Sequence, residues 1–593
     1  MVYDVVVIDT GVDSTHPCFN GKTLHGMTLK ADFQDSGFDD EVGHGTAICN
    51  IISNHNQDAS IFVIKVYEAE LSCIFEESLL RALQYVHDNI DCKIVNMSLG
   101  VNVVSQGREL YEICKRLREK GILLISAFDN NGAYSFPAYY PCVLGVETSD
   151  LCIRITDMFF TGEDHINVCA FGRPQRLAWI DHKTIIGSGN SYACAHVAGL
   201  LLSTANIEMN IEHLSYTDEH VQLYSNPNSD FVSEIEKAVA FPYNKEIHSL
   251  VRFRKLLPFE LMNVYDVKYS ANVGASTNLL LGTQYERDIV IKNIAHIDWD
   301  EFDTLIVGHT GQLQQIVRSS NVLDSLISQA IAQGKRIYAF DDLSEHMCNG
   351  DSRYGLYAHP KNDNSIVPNN YGKLFFHSKP VLCVIGTSTQ QGKYTLQLLL
   401  REKLMARGYV CGQIGTEPSA ELFGMESSFH YGYNSDIALQ TKDKIMYLNE
   451  LCYRVANNPV DIVVTGAQSG TIITNFGNVY DYHFGQYEFL LGVLPDAIIL
   501  CANLFDDAEC LQRTISFVES AIDTHVIAIV LFPKAVNPTS SYRKLSHVSN
   551  AEHKIFCENV WEAVKLPVFM LNENLDGLVD LIINYFIKEE TSC

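Results

Sequence analysis

The chain has 593 residues, too many for a single hydrophobic core, and its length points to about three or four domains. With 47% hydrophobic and 19% charged residues its composition is globular and excludes a disordered chain. Its 71 acidic against 43 basic side chains leave a net charge of −28. That balance argues against nucleic-acid binding through a phosphate-neutralising face and makes a basic peptide the more natural partner.

Residues 1–205 alternate short apolar runs with amphipathic stretches. Strands are predicted at 4–8, 61–66, 93–97 and 122–126, helices at 76–89 and 107–120. Such alternation predicts a parallel sheet with helices on both faces. The first strand follows Met1 so closely that neither a secretory signal nor a propeptide is expected ahead of it. No run of about 18 apolar residues predicts a membrane span. The 17 cysteines are scattered, without C-x-x-C pairs or zinc-ligand spacing, and read as reduced thiols. A cytoplasmic location, no membrane partner and no certain metal site are therefore expected.

Three short words in this region carry chemistry. Val7-Ile8-Asp9-Thr10-Gly11 offers a carboxylate at a strand end, Gly43-His44-Gly45-Thr46 an imidazole, and Gly189-Asn190-Ser191-Tyr192-Ala193 a hydroxyl at a helix start. A serine hydroxyl attacks a carbonyl only when an imidazole takes its proton, and the imidazole needs a carboxylate to fix its tautomer. Taken singly, each word also fits a strand end, a turn or an N-cap. Together, in the order acid, base, serine, they resemble the subtilisin-like serine proteases, peptidase family S8. The resemblance implies catalytic roles for Asp9, His44 and Ser191. It also makes Val95-Asn96-Met97-Ser98-Leu99-Gly100 a substrate-edge strand and aligns Asn130 with the oxyanion donor. Asp129 stands where that family usually has glycine, Tyr192 where it has methionine, and Ala195 where it has proline.

Residues 206–236 are polar, carry Asn-Pro-Asn-Ser at 226–229, and read as a linker or peripheral helix. A second alternating unit, 237–375, is predicted to be Rossmann-like. It has strands at 238–243, 261–266, 303–308 and 336–340, and helices at 249–257 and 319–333, but lacks a G-x-G-x-x-G turn. The third unit, 376–593, opens with a buried strand at 381–385. This runs through Gly386-Thr387-Ser388-Thr389-Gln390-Gln391-Gly392-Lys393-Tyr394-Thr395 into a helix. Strand, glycine-rich turn, lysine and helix form the setting of a phosphate loop. Gly386, Thr387, Gly392, Lys393 and Thr395 are the candidate phosphate-binding residues; a solvated lysine on a plain turn is the alternative.

This variant resembles a P-loop family that includes proposed D-glutamate N-acetyltransferases and, more distantly, dethiobiotin synthetase. It is also similar to peptide maturation system proteins encoded with bacterial peptide natural products. The resemblance covers about 237–593, rests also on Thr304 to His309, Gly466 to Gly470 and Leu494 to Ala497, and implies ligand roles for Glu417, Asp436 and Gln468. Where that family often has a carboxylate after a core strand, this chain has Thr465, which weakens the case for magnesium.

The expected fold is thus α/β: a subtilisin-like parallel-sheet domain (1–205), then Rossmann-like and P-loop NTPase-like domains. The leading functional expectation is an intracellular endopeptidase that removes the leader from a ribosomally made precursor peptide. It carries a fused module for ATP or another nucleotide or phosphate, with or without Mg. Two alternatives stay open: an ATP- or acyl-CoA-dependent ligase or acyltransferase with a subordinate protease domain, and a degenerate scaffold.

Overall fold

The computed structural model describes residues 2–590, apart from 30–33, 36, 67–75, 162–166, 204–223, 269, 312, 314–320, 347–355, 362–371, 430–438, 474–476, 478–481, 533, 537–544, 548 and 572–574. It divides into two compact units. One is Met1–Leu223 with Pro368–Ser378; the other is Tyr224–Val367 with Lys379–Cys593. This differs from the sequence-derived division, since the expected domains 237–375 and 376–593 group largely as one unit. The boundary drawn at 375/376 falls inside residues 372–378, which group with the first unit.

In the first unit the strands are β1 (Val2–Asp9), β2 (Leu24–Leu29), β3 (Gln34–Asp35), β4 (Ile61–Lys65), β5 (Asp91–Met97), β6 (Leu123–Ala127), β7 (Leu144–Thr148), β8 (Met158–Phe160) and β9 (Val168–Ala170). They form one sheet in the order β3-β2-β4-β1-β5-β6-β7-β9-β8. Pairing is parallel throughout, except that the edge strands β3 and β8 run antiparallel to β2 and β9. A hairpin of β10 (Gln175–Trp179) and β11 (Lys183–Gly187) stands apart from the sheet.

Helices α1 (His44–His55) and α4 (Asn190–Ser203) pack on the face that carries Val5, Val7, Ile94, Leu123 and Ile125. Helices α2 (Glu76–Asn89) and α3 (Gly107–Glu119) pack side by side. Val6 and Ile8, on the opposite face of β1, are as inaccessible as Val5 and Val7. The sheet is therefore covered on both sides, which is why its strands read as continuous apolar runs. Where α1 and α4 cross, Gly199 lets His55 approach; a Cβ there would lie 2.8 Å from the His55 side chain. The His55 and His196 rings share a hydrogen bond of 2.8 Å, and His196 Nε2 reaches Gln175 Oε1 at 2.8 Å. Burial, with His55 adjacent, pushes His196 down to about 3, so the pair is neutral at physiological pH.

The second unit contains two all-parallel sheets. The first, from β12 (Lys237–Phe241), β13 (Glu260–Asp266), β14 (Lys292–Asn293), β15 (Thr304–Val307), β16 (Arg336–Ala339) and β17 (Tyr357–Ala358), has the order β14-β13-β12-β15-β16-β17. The second runs β20-β19-β21-β18-β22-β23-β26. Its members are β18 (Val381–Gly386), β19 (Cys411–Gly415), β20 (Ser427–Ser428), β21 (Ile462–Gly466), β22 (Ala497–Ala502), β23 (His525–Leu531) and β26 (Val568–Met570). A small antiparallel pair, β24 (Lys534–Val536) and β25 (Leu545–His547), lies outside it. One apolar cluster joins Ala238, Ile247 and Tyr338 of the first sheet layer to Leu398, Ala420 and Leu422 of the second. Around Asn226 the polar stretch turns into a short helix, Ser229–Ser233, whose Val232 is buried in that cluster; 204–223 lie outside the described residues.

Candidate active site

In each parallel sheet the chemistry-bearing residues lie at the carboxyl ends of strands, where an open α/β sheet leaves its crevice. Asp9 ends β1 and is 1% exposed. Its Oδ1 accepts from the Thr10 amide at 2.8 Å and meets His44 Nδ1 at 2.8 Å. The second oxygen, Oδ2, is buried without a hydrogen-bond partner. His44 is the first residue of α1, and Gly43 before it has φ 109°. A Cβ on Gly43 would strike the Trp179 ring at 2.3 Å, and a Cβ on Gly45 would lie 2.1 Å from the Gly11 carbonyl oxygen. Both glycines are required by this approach. Burial works against the charged imidazole, but Asp9 outweighs it and, with Asp40, raises the His44 pKa above the usual value.

Asp40 was not singled out in the sequence, where it sits in an acidic loop like any solvated residue. It is the hub of the turn before His44. One carboxylate oxygen accepts from Thr10 Oγ1 (2.9 Å) and the amides of Val42 (2.9 Å) and Gly43 (2.8 Å). The other accepts from the Thr46 amide (2.9 Å) and hydroxyl (2.7 Å). Burial alone would raise its pKa; these donors more than reverse that and hold it below the usual carboxylate range. Thr10 in turn accepts from the Gly45 amide at 2.8 Å, so Asp40 couples the end of β1 to the start of α1.

Ser191 is the second residue of α4, and its carbonyl accepts from Ser98 Oγ at 2.8 Å. The neighbouring Tyr192 ring lies 5.6 Å from the His44 ring, so the residue replacing methionine packs over the imidazole. Asn190, 3% exposed, braces three chain segments. Its Oδ1 accepts from the Thr148 amide (2.8 Å), and its Nδ2 donates to the carbonyls of Phe128 (3.1 Å) and Asp129 (3.2 Å). Asn130 Oδ1 accepts from the Asn190 amide at 2.8 Å, which holds the Asn130 carboxamide one residue from Ser191. The Asp129 carboxylate accepts from the Asn131 amide at 2.7 Å.

In the second unit, Lys393 begins the helix Lys393–Ala406 and Gly392 before it has φ 74°. The Lys393 ammonium donates to the Ser388 carbonyl at 2.7 Å. Gln391, 2% exposed, fills the loop: its Oε1 accepts from the Ser388 amide (3.0 Å) and its Nε2 donates to Thr387 Oγ1 (2.6 Å). Thr387 Oγ1 donates to Asp506 Oδ2 at 2.5 Å. Asp506, which follows β22, is thus a carboxylate at the loop that the sequence reading missed. Thr465 instead donates to the Ile414 carbonyl inside the sheet, at 3.0 Å.

Thr395 is half-buried in the helix's first turn, and Gln468 Nε2 donates to the Thr416 carbonyl at 2.6 Å. Ser419 Oγ lies 3.2 Å from Ser249 Oγ and 3.1 Å from Tyr394 OH, joining the helix Lys245–Arg252 to the start of Lys393–Ala406. Burial pushes up the Glu417 pKa, while Lys245, His309 and Lys393 oppose that rise. His309 Nδ1 meets Asp341 Oδ1 at 2.5 Å, a second imidazole–carboxylate pair with no counterpart in the motif reading. A cavity of about 820 Å³, lined by Thr471, His483, Phe484, Tyr487, Arg513 and Phe517 among others, opens beside the loop, with Thr471 Oγ1 on the Gly386 carbonyl at 2.8 Å. Asp436 lies outside the described residues. Among the described residues no group of three or more His, Cys, Asp or Glu is placed to hold a metal ion, and no helix is long and apolar enough to cross a membrane.

Comparison with known proteins assigns the first unit. Residues 4–222 match the model of the subtilase family. The chain is 28% identical over 218 residues to the major intracellular serine protease of Bacillus subtilis (strain 168), a match covering 33% of this chain and 66% of that protein. It spans 31% to 66% of the length of three curated Bacillus relatives. Among solved structures, the prenylagaramide maturation protease PagA aligns with a TM-score of 0.27 and 24% identity, over 35% of this chain and 76% of that one. A duf1611 family protein from Anabaena variabilis aligns with a TM-score of 0.41 and 13% identity, over 59% of this chain and 99% of that one. The N-terminal domain is a subtilisin-like protease domain, and its sequence relatives are serine proteases.

The Asp40 network yields a prediction. Asp40→Asn substitutes a donor NH2 for one acceptor oxygen and removes the charge its five donors address. Hydrogen bonds to a charged group contribute about 1.5–3 kcal/mol each, so a loss of about 3 kcal/mol or more is expected. Urea melts in a Ser191→Ala background, which removes autolysis as a variable, measure it. A midpoint equal to that of the parent would contradict the hub role.

Proposed function

We propose that this protein is a serine endopeptidase in which Asp9, His44 and Ser191 form the catalytic triad and Asn130 stabilises the oxyanion. The observation that carries the proposal is the 2.8 Å contact of His44 Nδ1 with buried Asp9 at the end of β1, with Asn130, in the loop after β6, bonded to the residue before Ser191. In this reading Ser191 Oγ attacks the scissile carbonyl while His44 takes its proton through Nε2. Asp9 fixes the tautomer and stabilises the imidazolium, and His44 then protonates the leaving amine. The Asn130 Nδ2 and the Ser191 amide donate to the oxygen as negative charge develops on it.

The substrate we propose is a ribosomally made precursor peptide that loses its leader. Two features support this. The net charge of −28 favours a basic peptide, and the protease domain is fused to a second unit that a purely degradative enzyme has little use for. In that unit we propose a nucleotide or other phosphate ligand on Gly386, Thr387, Gly392, Lys393 and Thr395, with Glu417 and Gln468 nearby. Strand orders support Rossmann-like and P-loop-like readings of the two sheets, the first following the 3-2-1-4-5-6 pattern of dinucleotide folds. Asp506 and Thr387 offer an alternative anchor for a cation where Thr465 cannot serve. The His309–Asp341 pair facing Glu417 keeps a ligase or acyltransferase activity in this unit as a second reading.

Two experiments test these proposals. Against a panel of chromogenic peptide p-nitroanilides, Ser191→Ala and His44→Ala should each abolish turnover, and the double variant should lose little more, because the triad acts as a unit. Activity should rise with pH through the His44 pKa, which lies above the ordinary histidine value, since the base must be neutral. Independent, multiplying losses would overturn the triad. For the loop, burial lowers the Lys393 pKa to about 8. Calorimetry with pyrophosphate and ATP should therefore show binding that weakens as pH rises through about 8, and a loss of about 1.5–3 kcal/mol in Lys393→Ala. No binding, or binding indifferent to Lys393, would reduce the unit to a scaffold.

A further inference from the structure

The described residues 372–378 follow Ser191 by most of a domain in sequence, with second-unit chain on both sides of their segment, yet they group with the first unit. Of these, residues 373–375 reach the loop after β6, the end of β7 and the aromatic residues 134–139. The Leu374 carbonyl accepts from the Tyr134 amide at 3.1 Å. Phe375, 2% exposed, stacks on the Tyr134 ring at 4.4 Å and meets the Tyr139 ring edge-on at 5.1 Å. Lys373 is 3% exposed, which is rare for a lysine unless it is paired. Its ammonium meets Glu147 Oε1 at 2.7 Å, donates to the Gly132 carbonyl at 3.4 Å, and lies 5.2 Å from the centre of the Phe128 ring.

These partners bracket the oxyanion residue. Phe128 and Gly132 stand two positions either side of Asn130 in the loop after β6. Glu147 is next to Thr148, whose amide holds the Asn190 carboxamide, and Asn190 in turn bonds the Phe128 and Asp129 carbonyls. One cation therefore links the loop after β6 to the end of β7, the two segments that Asn190 also links. An ammonium buried between a carboxylate, a carbonyl and an aromatic face is held in one geometry, and removing it would leave the partly buried Glu147 carboxylate without this charged partner.

We infer that Lys373, carried on the segment 372–377, is a positioning residue for the Asn130 oxyanion donor, so that the protease site is completed by chain from outside the subtilase-matched region. The inference rests on the assignment of Asn130 given above. A donor loop that relaxes by an ångström stabilises the tetrahedral state less while leaving ground-state binding almost unaltered, and misplacement of that size costs up to about 10²-fold in rate.

The test is a kinetic cycle in the full chain, read as kcat and KM on a p-nitroanilide the parent cleaves. Lys373→Met and, separately, the shape-conserving Glu147→Gln should each lower kcat by about tenfold to 10²-fold with KM changed less than about twofold. In an Asn130→Ala background neither should lower kcat further by more than about twofold. Circular dichroism and thermal melts identify any variant that fails to fold; Glu147→Gln then decides alone. Unchanged kcat in folded Lys373→Met and Glu147→Gln, or losses that multiply with that of Asn130→Ala, would overturn the inference and leave the Asn130 assignment standing. If Asn130→Ala itself retains full kcat, the oxyanion assignment falls and this inference falls with it.

Discussion

The site depends on one close approach, the start of α1 against the end of β1. Gly45 passes so near the Gly11 carbonyl that a single added Cβ would lie 2.1 Å from its oxygen. That contact sets the 2.8 Å between His44 Nδ1 and Asp9 Oδ1, because each side chain is the terminal residue of its element. Buried polar groups hold the approach. Asp40 addresses both elements with five hydrogen bonds, and the Thr10 hydroxyl that donates to it also accepts from Gly45. In a low-dielectric setting such a network is rigid when complete and unfavourable when any member is lost.

The Ser191 side repeats this arrangement with neutral amides. Asn190 ties the ends of β6 and β7 to the start of α4, and Asn130 bonds its backbone. Lys373 also links the loop after β6 to the end of β7, with a charge. Asp9, His44 and Ser191 thus stand at strand and helix ends, and neighbouring buried residues fix those ends.

Much of this was legible in the sequence. The central strands β1, β4, β5 and β6 fell where apolar runs stood, because a parallel sheet buried on both faces writes itself as uninterrupted Val, Ile and Leu, whereas β2, β3, β7, β8 and β9 were not read from the sequence. Asp9, His44 and Ser191 were readable because small flanking residues are a steric requirement at each of them. Asp40, Asp506 and the His309–Asp341 pair were not. Their partners are backbone amides or residues distant in sequence, and an isolated acidic letter looks the same whether it is solvated or a hub. Lys373 was the least legible of all. A lysine in Gly-Lys-Leu-Phe-Phe reads as an exposed charge at a domain boundary, and only the fold reveals it beside Glu147.

The central claim is that Ser191 is an activated nucleophile. Treatment of the native full chain with a serine-directed aryl phosphonate, followed by peptide mass spectrometry, tests it without knowledge of the substrate. The account predicts a single adduct on Ser191 that forms faster as pH rises through the His44 pKa and is absent in His44→Ala. Labelling at another serine, or on Ser191 at the same rate with and without His44, would contradict it.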